Sequence, residues 1–133
     1  MRAQLSTDFL IVCLTLALIF SLAYALYVQN ASSQLSASHR LSAARIAEKV
    51  ARAANFVLAD GTGSSVTVYL EPMGELNYSL EFIERRVQLT WPISATNQTI
   101  SYPILTSAIR GAGVRYAGQN ITLVNEGGDL RVA

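Results

Sequence analysis

The sequence predicts an α+β fold in which one long N-terminal helix packs against a small antiparallel β-sheet head. Three patterns indicate this: an uncharged apolar run from Phe9 to Val28, helical spacing of apolar residues from Leu41 to Leu58, and two-residue alternation after Gly63. We divide the chain into a short N-terminal segment, residues 1–3, a helix over 4–58 and a β-rich head over 59–133. The 133 residues leave room for one modest core besides the helix.

The apolar run from Phe9 to Val28 has the length of a membrane span. About 20 residues at about 1.5 Å each give about 30 Å as a helix, which matches the hydrocarbon thickness of a bilayer. Arg2 precedes the run, and no basic residue follows it until Arg40. This asymmetry predicts a cytoplasmic N-terminus and a head outside the cell.

The order of parts around this run differs from that of an ordinary secretory signal. In such a signal the small-residue cleavage site follows the apolar core. Here the small residue Ala3 lies before it, so cleavage between Ala3 and Gln4 would remove residues 1–3 as a leader. The apolar helix would then stay on the mature protein as a structural element.

The start of the chain resembles archaeal type IV pilin-like proteins with class III signal peptides, which begin Q-x-S-x-E-[YF]-L. The matching residues are Gln4, Ser6, Asp8, Phe9 and Leu10, with Asp8 where the family usually has Glu. The passage from Leu41 to Leu70 and the segment from Gly118 to Gly128 are also similar to that group. The resemblance implies a type IV pilin-like fold.

The resemblance also implies a function, that of a structural subunit of an extracellular filament used for surface adhesion. The precursor would be inserted in the cell membrane and cleaved after Ala3 by a prepilin-peptidase-type enzyme. Pilus machinery would then assemble the mature subunit into the filament. Its partners would be copies of itself, joined through the helix at residues 9–28. In this setting the Asp8 carboxylate would pair with the new α-amino group of Gln4.

The second half of the predicted helix is amphipathic. One stripe is apolar and rich in small residues, and the opposite face carries Arg45, Glu48, Lys49 and Arg52. The stripe consists of Ala43, Ile46, Ala47, Val50, Ala54, Val57 and Leu58. We expect it to cover one face of the sheet, because an antiparallel sheet commonly has one solvated face and one covered face.

Five alternating segments after Gly63 predict half-buried strands, and a sixth follows as a hairpin. The sixth segment, which completes the hairpin, runs from Leu130 to Val132. The inward residues of the first five, segment by segment, are Val66, Val68 and Leu70; Tyr78, Leu80 and Phe82; Val87, Leu89 and Trp91; Ile100, Tyr102 and Ile104; and Ile121 and Leu123. Turns are predicted at 71–74, 84–86, 92–97 and 126–129. Residues 105–117 show no clear pattern.

The residue types that carry catalysis are scarce, so we expect no enzyme activity, no metal and no cofactor. The only histidine, His39, has no cysteine nearby, and the only cysteine, Cys13, lies inside the apolar run as a small apolar side chain. Asp60 to Ser64 alternates oxygen-bearing residues, but it lacks the later Glu of an EF-hand and is interpreted as a helix-ending turn. Gly111 and Gly113 indicate loop flexibility, and the net charge of +1 gives no reason to expect nucleic acid.

Asparagines are placed where N-glycosylation would use them. Four of the six open Asn-x-Ser/Thr sequons, where about one would be expected by chance from the Ser and Thr content. The candidate acceptors are Asn30, Asn77, Asn97 and Asn120. Their number favours an external surface.

Other functions fit the same pattern. A monomeric membrane-anchored extracellular binding domain would need the same span and head, but it has no reason to lose residues 1–3. A minor pilin shares every feature above. An archaeal flagellar subunit is less favoured, because we would expect more glycine at the start of its apolar segment than Leu5 to Asp8 provides.

Overall fold

Helix α1 occupies Arg2–Asp60, close to the predicted range of 4–58. The computed structural model describes residues 2–106 and 108–133, with side chains described from Ser6 onward. The chain divides into two compact units, Met1–Ser38 and His39–Ala133. The first unit is helical wherever it is described, and the second contains the rest of α1 and all the described strands.

The described strands form two four-stranded sheets. The first has the order β1-β7-β8-β5, and the second has the order β4-β3-β2-β6. Neighbouring strands are antiparallel except for β5 and β8, which are parallel. The strands are β1 Ser65–Tyr69, β2 Ser79–Ile83, β3 Arg86–Ile93, β4 Thr96–Pro103, β5 Ile109–Arg110, β6 Arg115–Tyr116, β7 Asn120–Glu126 and β8 Asp129–Val132.

The long helix and the predicted strands are confirmed, but the prediction of a single antiparallel sheet is wrong. The head has two sheets, and the parallel pair makes one of them mixed. Two-residue alternation shows which side chains point inward, but it does not say which strands are neighbours. The turn predicted at 92–97 is also narrower, because Pro92 and Ile93 end β3 while Thr96 and Asn97 begin β4.

The predicted helix stripe lies in the core of the second unit. Most of its residues are buried, and Leu58 packs partly buried against the others. Alanine at three of the stripe positions, and the buried Ala51 beside them, let the strands approach the helix closely, because an alanine side chain is only a methyl group. The buried helix residues are Ala43, Ile46, Ala47, Val50, Ala51, Ala54 and Val57. The inward strand residues predicted from alternation are buried or half-buried, Trp91 among them at 1% exposure.

The C-terminal end of α1 is held by two polar side chains from the head. Ser64 Oγ donates to the Val57 carbonyl oxygen at 2.6 Å. The buried Asn125 side chain donates from Nδ2 to the carbonyl oxygens of Val57 at 3.2 Å and Leu58 at 3.3 Å. The interpretation of residues 60–64 as a helix-ending turn is confirmed, and Gly61 takes the positive φ of 105° that such an end favours.

Candidate assembly surface

The apolar residues between Phe9 and Val28 are exposed around the whole circumference of the helix. Phe9 is 67% exposed and Leu10 is 57% exposed. Consecutive positions are apolar, so no face of this segment is polar, which is typical of a helix surrounded by lipid or by other helices. The exposed set is Phe9, Leu10, Ile11, Val12, Leu14, Leu16, Leu18, Ile19, Phe20, Leu22, Tyr24, Leu26, Tyr27 and Val28. We call these residues the apolar surface.

The helix meets the length and composition of a membrane span. It is long and apolar enough to cross a bilayer, and none of its most apolar stretch is buried. A signal sequence near the N-terminus has the same properties. The segment is therefore compatible with a membrane anchor or a signal sequence.

The hydroxyl group of Thr15, inside the apolar segment, bonds to the helix backbone. Thr15 Oγ1 donates to the carbonyl oxygen of Ile11 at 2.8 Å. A polar group without a partner in hydrocarbon costs several kcal/mol, so this bond lets Thr15 lie in a dry environment. Further along, Ser32 Oγ donates to the carbonyl oxygen of Gln29 at 2.9 Å.

Asp8 is the only charged residue from Ser6 to Ser38. Its side chain is exposed, and it forms no ion pair within the described part of the chain. The proposed cleavage residues Ala3 and Gln4 lie where the side chains are outside those described. A carboxylate at the start of an apolar surface is costly in lipid, and such residues usually have a function.

All four sequon asparagines are exposed. Asn30 lies on α1, Asn77 precedes β2, Asn97 lies on β4 and Asn120 begins β7. Each is accessible as an acceptor in the folded chain. The structure brings two of them, Asn77 and Asn97, to one groove on the second sheet.

The outer side of the helix is joined to the head by an ion pair. Lys49 Nζ lies 2.7 Å from Glu71 Oε1, and this hydrogen bond and the lysine charge lower the pKa of Glu71. The backbone carbonyl of Glu71 also accepts a hydrogen bond from Tyr78 Oη at 2.8 Å. Burial raises the pKa of Tyr78 to about 12, with a smaller contribution from the Glu71 charge.

Side chains able to bind a metal are scattered in the described residues. No group of three His, Cys, Asp or Glu side chains comes together there. His39 lies half-buried on α1, and Cys13 lies exposed within the apolar surface. The sequence prediction missed the structural role of the buried Asn125 at the end of α1; the available signal was a polar residue in the inward phase after Ile121 and Leu123.

No family model, no curated protein and no solved structure matches the chain.

Proposed function

We propose that this chain is a pilin-like structural subunit, assembled through its apolar surface into an extracellular filament for surface adhesion. The observation that carries the proposal is that every residue of the apolar surface, from Phe9 to Val28, is exposed, by 46% to 71%. Soluble monomers rarely expose an apolar patch of more than a few hundred Å². This surface therefore has to be covered by lipid or by other copies of the same helix. In our proposal lipid covers it before assembly, and neighbouring helices cover it in the filament.

The head does not use this surface for its own stability. In the described part of the chain, buried residues begin at Ala43, and the core is built from the second part of α1 and the two sheets. The apolar surface can therefore exchange lipid for neighbouring helices without loss of the head's core.

Asp8 favours an arrangement in which copies of the helix pack against each other over one in which the helix is surrounded only by lipid. In lipid its carboxylate would be an uncompensated cost, whereas between helices it can pair with the α-amino group that cleavage would create on a neighbouring copy. The charged pair would also fix the axial position of one helix against the next. The alternative of a monomeric membrane-anchored binding domain gives Asp8 no such partner.

The test is the mass and N-terminal sequence of the protein sheared from the producing cells. We expect a chain beginning at Gln4, or its cyclised form, in a high-molecular-weight fraction. Replacing the small residue by Ala3→Leu should block cleavage and filament formation, and the matched variant Ala31→Leu, beyond the apolar surface, should change neither. A chain that begins at Met1 and occurs only in membranes would contradict the proposal and favour the anchored domain.

A further inference from the structure

The outward face of the second sheet carries a shallow groove between two sequon asparagines. Asn77 and Asn97 both line it, together with Thr90 and Pro92 of β3 and with Tyr116 of β6. Its volume is about 210 Å³. All of its lining residues are uncharged, which favours a neutral ligand over an ionic one.

The strand register explains why both sequons face this groove. Ser79 pairs with Thr90, and Thr90 pairs with Thr99, so the hydroxyl residues of both sequons flank the same residue of β3. The Oγ1 atoms of Thr90 and Thr99 lie 3.1 Å apart, which places both on one face. Asn97 pairs with Pro92 in the adjacent row of that face.

The groove is too small to hold a free ligand well. Pockets for free small molecules usually enclose roughly 300–1,000 Å³. A group attached covalently at the rim is different, because a short tether gives it an effective concentration in the millimolar range. A weak groove can therefore hold a tethered ring that it could not capture from solution.

The floor of the groove suits one face of a sugar ring. Tyr116 is 55% exposed, and Pro92, which also lines the groove, is exposed as well. Tyrosine presents an apolar ring with a polar tip, which matches a ring that has a C–H face and a hydroxyl rim. Further hydrogen-bonding groups among the lining residues are the hydroxyl of Thr90, which also contacts that of Thr99, and the side-chain amide of whichever of Asn77 and Asn97 carries no glycan.

We propose that this groove holds the first sugar of an N-linked glycan carried by Asn77 or Asn97. The linkage forms when the asparagine Nδ2 attacks the anomeric carbon of a sugar on a phosphate-linked carrier. The carrier phosphate departs with the bonding electrons, and the amide proton passes to a base. The inference rests on the part of the proposed function that places the head outside the cell.

Hydroxyl-radical footprinting of the full-length protein from its producing cells tests this inference. Glycopeptide mass spectrometry gives the occupancy of each sequon, and the oxidation of Tyr116 reports whether its ring is covered. Because Tyr116 is 55% exposed without a glycan, covering one ring face should cut its oxidation about twofold relative to the Asn77→Gln/Asn97→Gln variant. Ile83 and Val114, exposed side chains outside the groove, should be unchanged.

Asn120 lies on the first sheet, outside the groove, and serves as a control site. It distinguishes failure of this inference from failure of the proposed function. The control Asn120→Gln should leave Tyr116 oxidation unchanged. Suppose that Asn120 carries a glycan and that Tyr116 is oxidised equally in the wild type and the double variant. This result would overturn the inference but not the proposed function. If no sequon carries a glycan the inference also fails, and protease digestion of intact cells then shows separately whether the head lies outside.

Discussion

Gly111 lies against the backbone of Val132, where a side chain has no room. A Cβ atom at Gly111 would meet the Val132 carbonyl oxygen at 2.5 Å, and the residue has a φ of 72°. Both features favour glycine, because other residues rarely adopt this conformation. Gly111 follows β5, whose pairing with β8 is the parallel contact of the first sheet. The sequence indicated loop flexibility here, but the residue is fixed by close packing.

Gly111→Ala should therefore destabilise the head, by about 1–3 kcal/mol from backbone strain. Gly113→Ala is the matched control, since a Cβ there meets nothing within 4 Å. Urea unfolding of the full-length protein in detergent, followed by fluorescence of the single buried Trp91, measures both variants. Equal midpoints for the two variants would contradict the assignment.

Asn125→Ala should destabilise the head by removing the polar contact with the end of α1. The variant leaves the Val57 and Leu58 carbonyls and the Gly128 amide without this partner. An unsatisfied buried group costs about 1–3 kcal/mol, so a loss in that range is expected from urea unfolding. The control is Ser101→Ala, an exposed polar residue on β4 outside the groove. An effect no greater than that of the control would show that the contact contributes little.

Tyr78 should make the head less stable at high pH. Its pKa is about 12 in the folded chain against the ordinary value of 10.0, so the unfolded state loses the phenol proton first. The stability that this group contributes is fully present below pH 10 and is lost as the pH rises from 10 to 12, with a total change of about 2–3 kcal/mol.

Tyr78→Phe should remove this part of the pH dependence. At pH 8 the variant should also lose about 1 kcal/mol, because the hydrogen bond to the Glu71 carbonyl is gone. Urea unfolding at pH 8 and pH 11 compares the two chains. Parallel losses of stability between these pH values would show that Tyr78 is not the group responsible.

The helix and most strands could be predicted from the sequence, but the pairing of the strands into two sheets could not. Alternation from Val87 to Trp91 showed which residues of β3 point inward, because the period of a strand is local. The strands β5 and β6 have two residues each, which is too short for any period. The split into two sheets depends on contacts between distant parts of the chain, such as Val68 with Ile121.

The candidate site was predicted in part. The apolar surface could be predicted because a helix needs the same apolar residues whether lipid or other helices surround it. Asp8 could be identified because it is the charged residue next to that run. The groove between Asn77 and Asn97 could not be predicted, because these residues meet only through the pairing of β2 with β3 and of β3 with β4. Asn125 had a usable signal, a polar residue in the inward phase of a strand.

Asp8→Ala should reduce filament assembly without impairing membrane insertion. If the carboxylate pairs with the amine of a neighbouring copy, removing it leaves that amine buried and unpaired, at a cost of about 3–5 kcal/mol. Insertion should not suffer, since a charge is lost from the edge of an apolar segment. The assembled and membrane fractions are compared by quantitative immunoblot.

Two further variants at this position define the role of the charge. Asp8→Glu should assemble, because it keeps the carboxylate, whereas Asp8→Asn should behave like Asp8→Ala. Wild-type amounts of filament from Asp8→Ala would exclude the pairing.

Cys13 offers a direct probe of the apolar surface. The thiol is exposed in the single chain, so it should react with a maleimide in detergent. In a filament the neighbouring helices should cover it, and the reaction should slow by about tenfold or more because reactivity requires access. The control is Cys13→Ser with Ser101→Cys on the exposed face of β4, which should react equally in both states. Equal reactivity of Cys13 in filaments and detergent would mean that the helices do not line the filament interior.

The pairing of β1 with β7 determines when the head can finish folding. Thr67 and Thr122 are 55 residues apart and lie opposite each other, whereas β2, β3 and β4 are successive hairpins. Closing a long loop has a larger entropic cost than closing a short one, so we expect the hairpins to form first. The first sheet closes only after β7 has been synthesised, and Asn125 on that strand reaches the end of α1 at the same step. The pairing that joins β1 to the distant β7 therefore also brings Asn125 to the end of the helix.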